Sequence, residues 1–192
     1  VMDHLIYGKP LPPCLLPPRI VSTLKESGIV LRDYQVEGIS WIQFLRSVRL
    51  NGALCDDMGL GKTLQALVGI AITHHELAEM DEKTKPKSLI VCPSSVTGQW
   101  TNEIKKIGFG NAILNVMQYT GATRKKDWDN MLEGCDLVIT SYPVLRSDIT
   151  ILGSISWTYC VLDEGHLLKN PKTLTAKSAR KLKSQHKLIL SG

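Results

Sequence analysis

The chain holds no apolar run near the ~18–20 residues that cross a bilayer. Val1-Met2-Asp3-His4 is not a basic stretch leading into an apolar one, so no secretory leader is read there. No membrane partner is expected. Of five cysteines (Cys14, Cys55, Cys92, Cys135, Cys160), none form a Cys-x-x-Cys pair, and Cys55, Cys92 and Cys160 lie inside apolar runs. They read as buried, reduced thiols of an intracellular protein, not a disulfide framework. The five histidines are scattered, without the spacing of a zinc site. With 15 glycines and 9 prolines there is no collagen-like or low-complexity character. At 43% hydrophobic and 21% charged, the 192 residues exclude a disordered chain and suit one α/β domain, at most with a tail. The Val1 start and the apolar run stopping at Gly192 read as cuts in a longer protein.

The net charge of +5 is mild, but its distribution is uneven. Residues 167–192 carry seven basic side chains (Lys169, Lys172, Lys177, Arg180, Lys181, Lys183, Lys187) and no acid, and Arg124-Lys125-Lys126 forms a second cluster. Such a stripe reads either as a surface that follows phosphates or as a solvated helix face.

Residues 1–18 hold five of the prolines, and residues 1–24 read as a proline-rich arm or linker. Compact folding is expected from near Arg19, and the folded lobe proper from residue 25. Tyr34, Gly38, Trp41, Ile42, Leu45 and Val48 recur at helical spacing, with Asp33 as a candidate cap. A strand over 52–56 then leads into a helix with Leu64, Leu67, Val68, Ala71 and Ile72 on one face. Four further apolar runs, 88–92, 136–140, 159–163 and 187–191, read as strands buried on both sides, and 112–119 is a candidate for another. Strands of this kind, spaced by helices, predict a parallel sheet covered on both faces.

Between the first strand and its helix stands Asp56-Asp57-Met58-Gly59-Leu60-Gly61-Lys62-Thr63. That is the strand–loop–helix setting of a phosphate-binding loop. Glycines let backbone N–H groups face phosphate oxygens at the positive end of a helix. Lys62 can reach the outer phosphates and Thr63 can ligate Mg²⁺. Asp56 stands where the usual pattern has its first glycine. About 100 residues downstream, a strand delivers Asp163-Glu164-Gly165-His166. Asp163 is the candidate for holding Mg²⁺ and Glu164 for orienting or deprotonating an attacking water. Taken alone, the acid pair reads equally as a helix cap.

In this order the motifs resemble the first RecA-like lobe of Snf2-family ATPases of helicase superfamily 2, a three-layer P-loop fold. Leu31–Gln35 resembles the Q motif, which implies ATP contacts for Arg32 and Gln35 alongside residues 56–63. Cys92-Pro93 through Gln99-Trp100, Tyr119-Thr120-Gly121 and Thr140-Ser141-Tyr142 resemble the DNA-side motifs. The resemblance therefore implies DNA contacts for Pro93, Trp100, Thr120, Gly121, Ser141 and Tyr142. Asp163–His166 resembles motif II in a DEGH spelling, with His166 coupling nucleotide to DNA, and Leu190-Ser191-Gly192 opens motif III. The branch resembled most is the ATPase that removes TATA-binding protein from DNA, in which a HEAT-repeat array precedes the lobes.

The resemblance implies a nuclear, ATP- and Mg²⁺-dependent translocase on double-stranded DNA. Its arginine finger would come from a second RecA-like lobe of the same protein, so this lobe alone would be nearly inactive. A nucleosome remodeller, a repair ATPase, an unwinding helicase and a catalytically inactive scaffold are the alternatives. From the residues alone, Trp100 reads equally as core, Ser141-Tyr142 equally as a turn before Pro143, and His166 as a structural group.

Overall fold

The computed structural model describes residues 11–57, 59–81, 83, 85–110, 112–126 and 128–192. Six strands, β1 (Gly52–Leu54), β2 (Ser88–Cys92), β3 (Val116–Gln118), β4 (Leu137–Ser141), β5 (Ser156–Leu162) and β6 (Lys183–Leu190), form one sheet in the order β1-β6-β5-β2-β4-β3. Every pairing is parallel. All six C-terminal ends therefore share one rim, where open α/β sheets bind ligands.

The helices are α1 (Pro18–Glu26), α2 (Asp33–Ser47), α3 (Lys62–Met80), α4 (Thr97–Lys106), α5 (Trp128–Glu133), α6 (Tyr142–Ser147), α7 (Ile149–Leu152) and α8 (Leu174–Lys181). Alternate strand residues feed two cores, as the two-residue side-chain period dictates. On one face Ile90, Ile139 and Val161 meet Ile20, Ile39, Leu67 and Trp100 from α1, α2, α3 and α4. On the other, Leu89, Val91, Val138 and Cys160 meet Tyr142, Leu145 and Ala179 from α6 and α8. This is the α/β, three-layer, parallel architecture expected.

Several local expectations change. The boundary drawn at residues 24/25 falls inside α1. Pro18 occupies the first helical turn, where its missing N–H costs nothing and its fixed φ is already helical. Ile20 and Leu24, one turn apart, are buried. Asp33 is the first residue of α2 and not its cap. Arg32 takes the cap position, and its N–H donates to Gln35 Oε1 at 3.0 Å. Helix α3 is buried all round from Leu64 to His74, because α1 and α2 cover the side away from the sheet. Cys92, Cys135 and Cys160 are buried free thiols, whereas Cys55 is exposed because β1 ends at Leu54. Burial pushes the Cys92 and Cys160 thiols up to about 12.

Candidate active site

Strand β1 leads into the phosphate-loop sequence, β5 into Asp163 and β6 into Ser191. Because β6 lies between β1 and β5, the loop and the acid pair are two strand spacings apart, about 10 Å. They share one hollow of about 570 Å³. Gly59, Gly61, Lys62, Thr63, Asp163, Glu164 and His166 line it, with Trp100 on the α4 side.

Lys62 opens α3 and turns back over its own loop. Its Nζ donates to the Asp56 carbonyl at 2.7 Å and the Asp57 carbonyl at 2.9 Å. Asp56 and Asp57 therefore serve Lys62 through their main chain and do not line the hollow. The Asp56 side chain accepts from Gln65 Nε2 at 3.4 Å, which gives an acid a partner at the position usually held by glycine. Gly61 has φ 74°, and a Cβ there would sit 2.5 Å from Gln35 Nε2. Only glycine meets both conditions cheaply. Gln35 is 8% exposed, and its amide bonds Arg32 N–H and the Leu60 carbonyl at 3.4 Å. Arg32, Gln35 and Leu60 thus flank the hollow without lining it. Met58 lies outside the described residues.

Asp163 is half-buried and gripped through both carboxylate oxygens. Oδ2 accepts from Trp100 Nε1 at 2.8 Å, and Oδ1 accepts from the Glu164 N–H at 2.9 Å. Burial raises its pKa above the ordinary carboxylate range and the Glu164 charge adds to this, while those hydrogen bonds and the Lys62 charge pull the other way. Glu164 has a left-handed backbone, φ 54° and ψ 56°, a conformation costing a non-glycine residue about 1–2 kcal/mol. The kink aims its carboxylate toward the hollow, where Oε2 stands 3.1 Å from His166 Nδ1.

Thr63 and Asp163 offer a hydroxyl and a carboxylate beside a helix N-terminus. A hard, all-oxygen donor pair of this kind suits Mg²⁺, which keeps most of its remaining positions for water and phosphate.

The residues expected to contact DNA separate into two groups. Gly121 is exposed, and Pro93 and Thr120 are half-exposed, on the β2 and β3 ends of the rim. Trp100, Ser141 and Tyr142 are 2%, 4% and 4% exposed, so little of their side chains reaches the surface of the rim. The Tyr142 hydroxyl donates to the Asp163 carbonyl at 2.6 Å, and burial raises its pKa. In the basic cluster at 124–126, Arg124 and Lys125 converge on the buried Asp148 carboxylate at 2.6 and 2.9 Å. The basic stripe over 167–192 is largely surface, with Lys169, Lys172, Lys177, Arg180, Lys181 and Lys183 all exposed.

Gln99 and Glu103 also line the hollow. Their i, i+4 spacing on α4 places both on Trp100's side of that helix. Gln99 falls within the 92–100 motif that the resemblance assigned to the DNA side, and no motif marked Glu103, a polar helix residue that reads as an ordinary solvated face.

The SNF2-related domain model matches residues 34–192. Over 169 residues the chain is 46% identical to TATA-binding protein-associated factor mot1 of Aspergillus fumigatus, covering 84% of this chain and 9% of that protein. It is 37% identical over 198 residues to human TATA-binding protein-associated factor 172, covering all of this chain and 10% of the relative. The chain thus spans about a tenth of the length of these relatives. Among solved structures, the Sulfolobus solfataricus SWI2/SNF2 ATPase core in complex with dsDNA matches with TM-score 0.70 and 34% identity, over 85% of this chain and 32% of that one.

Proposed function

The chain belongs to the SNF2-related domain family, and on that premise we propose that it is the nucleotide-binding lobe of an ATP-driven translocase on double-stranded DNA. The observation that carries this reading is the single hollow lined by Lys62, Thr63, Asp163 and Glu164. A scaffold that had lost catalysis would be free to lose any of the four.

ATP enters with its phosphates against the N-terminus of α3. Lys62 exchanges its two loop carbonyls for phosphate oxygens, at little cost because both sets of bonds are charge-assisted. Thr63 and Asp163 would hold Mg²⁺, which supplies charge neutralisation for the phosphates. Glu164, steadied by His166, orients the attacking water and takes its proton. Arg32 and Gln35, beside the loop, meet the base. An arginine from a second lobe would complete the charge stabilisation, a contribution worth about 10³–10⁵ in rate. Pro93, Thr120 and Gly121 form the rim nearest a DNA strand.

The finer reading is removal of TATA-binding protein from DNA by a nuclear protein. The names of the relatives and the dsDNA complex of the structural neighbour support it. In the whole protein, Lys62→Ala and Glu164→Gln should each lower DNA-stimulated ATP hydrolysis by at least about 10²-fold. Glu164→Gln should retain ATP binding. Full turnover by the Glu164→Gln protein would overturn the role given to that carboxylate.

A further inference from the structure

The resemblance implies a DNA contact for Trp100, and from the residues alone it reads equally as core; the side chain is 2% exposed and points its ring N–H at Asp163. It belongs to the core on the α3 face of the sheet, and Tyr142 belongs to the core on the opposite face. Both side chains reach Asp163, Trp100 at the carboxylate and Tyr142 at the carbonyl. Asp163 is therefore held from both layers. With the Glu164 N–H on its other oxygen, the carboxylate can neither rotate nor tilt without breaking a hydrogen bond.

We infer that Trp100 is a positioning residue for the metal carboxylate: its indole N–H holds Asp163 in the orientation that receives Mg²⁺ together with Thr63. The inference rests on the ATP–magnesium reading of the hollow. The partner of a metal-binding carboxylate commonly controls metal affinity by 10–100-fold. Phenylalanine keeps most of the aromatic bulk and removes the donor, so Trp100→Phe isolates the hydrogen bond.

The test measures ATP binding to the protein as Mg²⁺ is titrated, with ATP binding in EDTA as the check that the loop is intact. Trp100→Phe should bind ATP in EDTA as the parent does, but need about tenfold or more Mg²⁺ for half-saturation. Unchanged Mg²⁺ dependence, within about twofold, overturns the inference and leaves the ATP reading standing. A parent protein whose ATP binding ignores Mg²⁺ overturns the ATP–magnesium reading itself.

A second measurement needs only the parent fold. The chain has four tryptophans, Trp41, Trp100, Trp128 and Trp157. With 5-fluorotryptophan incorporated, the ¹⁹F resonance of Trp100 should shift when Mg²⁺ is added to the ATP-bound protein. That resonance is assigned by its loss in Trp100→Phe or by elimination among the other three. A Trp100 resonance that stays in place on Mg²⁺ addition contradicts the inference.

Discussion

Gly165 explains the spelling of the acid box in steric terms. A Cβ at this position would lie 2.2 Å from Ile189 Cγ2 on β6. The chain must pass that close for Asp163 and Glu164 to face the loop at the end of β1. Gly165→Ala should therefore lower the unfolding free energy by about 1–3 kcal/mol, read by chemical denaturation. Loss under about 0.3 kcal/mol would mean that β6 yields easily, against this packing account. Glu164 shows the opposite balance, since on the proposed reading its costly left-handed backbone serves to aim the carboxylate at the attacking water. Asparagine accepts that conformation more readily. Glu164→Asn should be at least as stable as the parent, by up to about 1 kcal/mol, while losing hydrolysis. A clearly destabilised but active Glu164→Asn protein would contradict both halves of that statement.

Elements are joined by buried polar groups that respond to pH. His74 on α3 is 6% exposed, with Nε2 2.8 Å from the Ser88 hydroxyl at the start of β2. Burial lowers its pKa to about 4, and the Lys87 charge adds to this. The folded value lies below the unfolded one, so the unfolded chain takes the proton first. The α3–β2 contribution is complete above about pH 6.5 and is lost as pH falls toward 4, amounting to about 3 kcal/mol. His74→Gln should flatten stability between pH 7 and 4, and an unchanged slope would contradict the assignment. Asp148 acts at lower pH. Burial alone would raise its pKa, but hydrogen bonds from Arg124, Lys125, Tyr119 and Ser147 hold it at about 2. Its contribution is present above about pH 4 and is lost toward pH 2, worth about 2 kcal/mol. Asp148→Asn should remove that last acid transition.

The same elements show what the sequence discloses and what it hides. Runs of buried β-branched and leucine residues announced β2, β4 and the end of β5. The first half of β6, Lys183-Ser184-Gln185-His186, alternates exposed and covered positions and carries no apolar run, so the strand begins four residues before its signal. The candidate strand over 112–119 shrinks to Val116–Gln118. At the site, the meeting of Lys62, Thr63, Asp163 and Glu164 in one hollow was legible, because a glycine-rich loop after one strand and acids after another both fall on the C-terminal rim. The burial of Trp100, Ser141 and Tyr142 was not, since an aromatic or a serine after a strand serves a core and a surface equally well. Only the burial and the partners of these side chains decide between the two.

For the whole molecule, strand order does the decisive work. The loop after β1 and the acids after β5 are far apart in sequence, yet β6 alone separates them on the rim. Nothing among the described residues supplies an arginine to the hollow. The 192-residue chain alone should thus hydrolyse ATP about 10³-fold or more slowly than the two-lobe protein on DNA. Rapid DNA-stimulated turnover by the chain alone would refute the two-lobe requirement. The most direct measurement of the central claim uses the amide NMR spectrum of the labelled chain with ATP and paramagnetic Mn²⁺ in place of Mg²⁺. One bound ion should broaden the amides of Gly61–Thr63 and of Asp163–Gly165 together, at the same metal concentration. Broadening of one set without the other would show that loop and acids do not close on a common triphosphate.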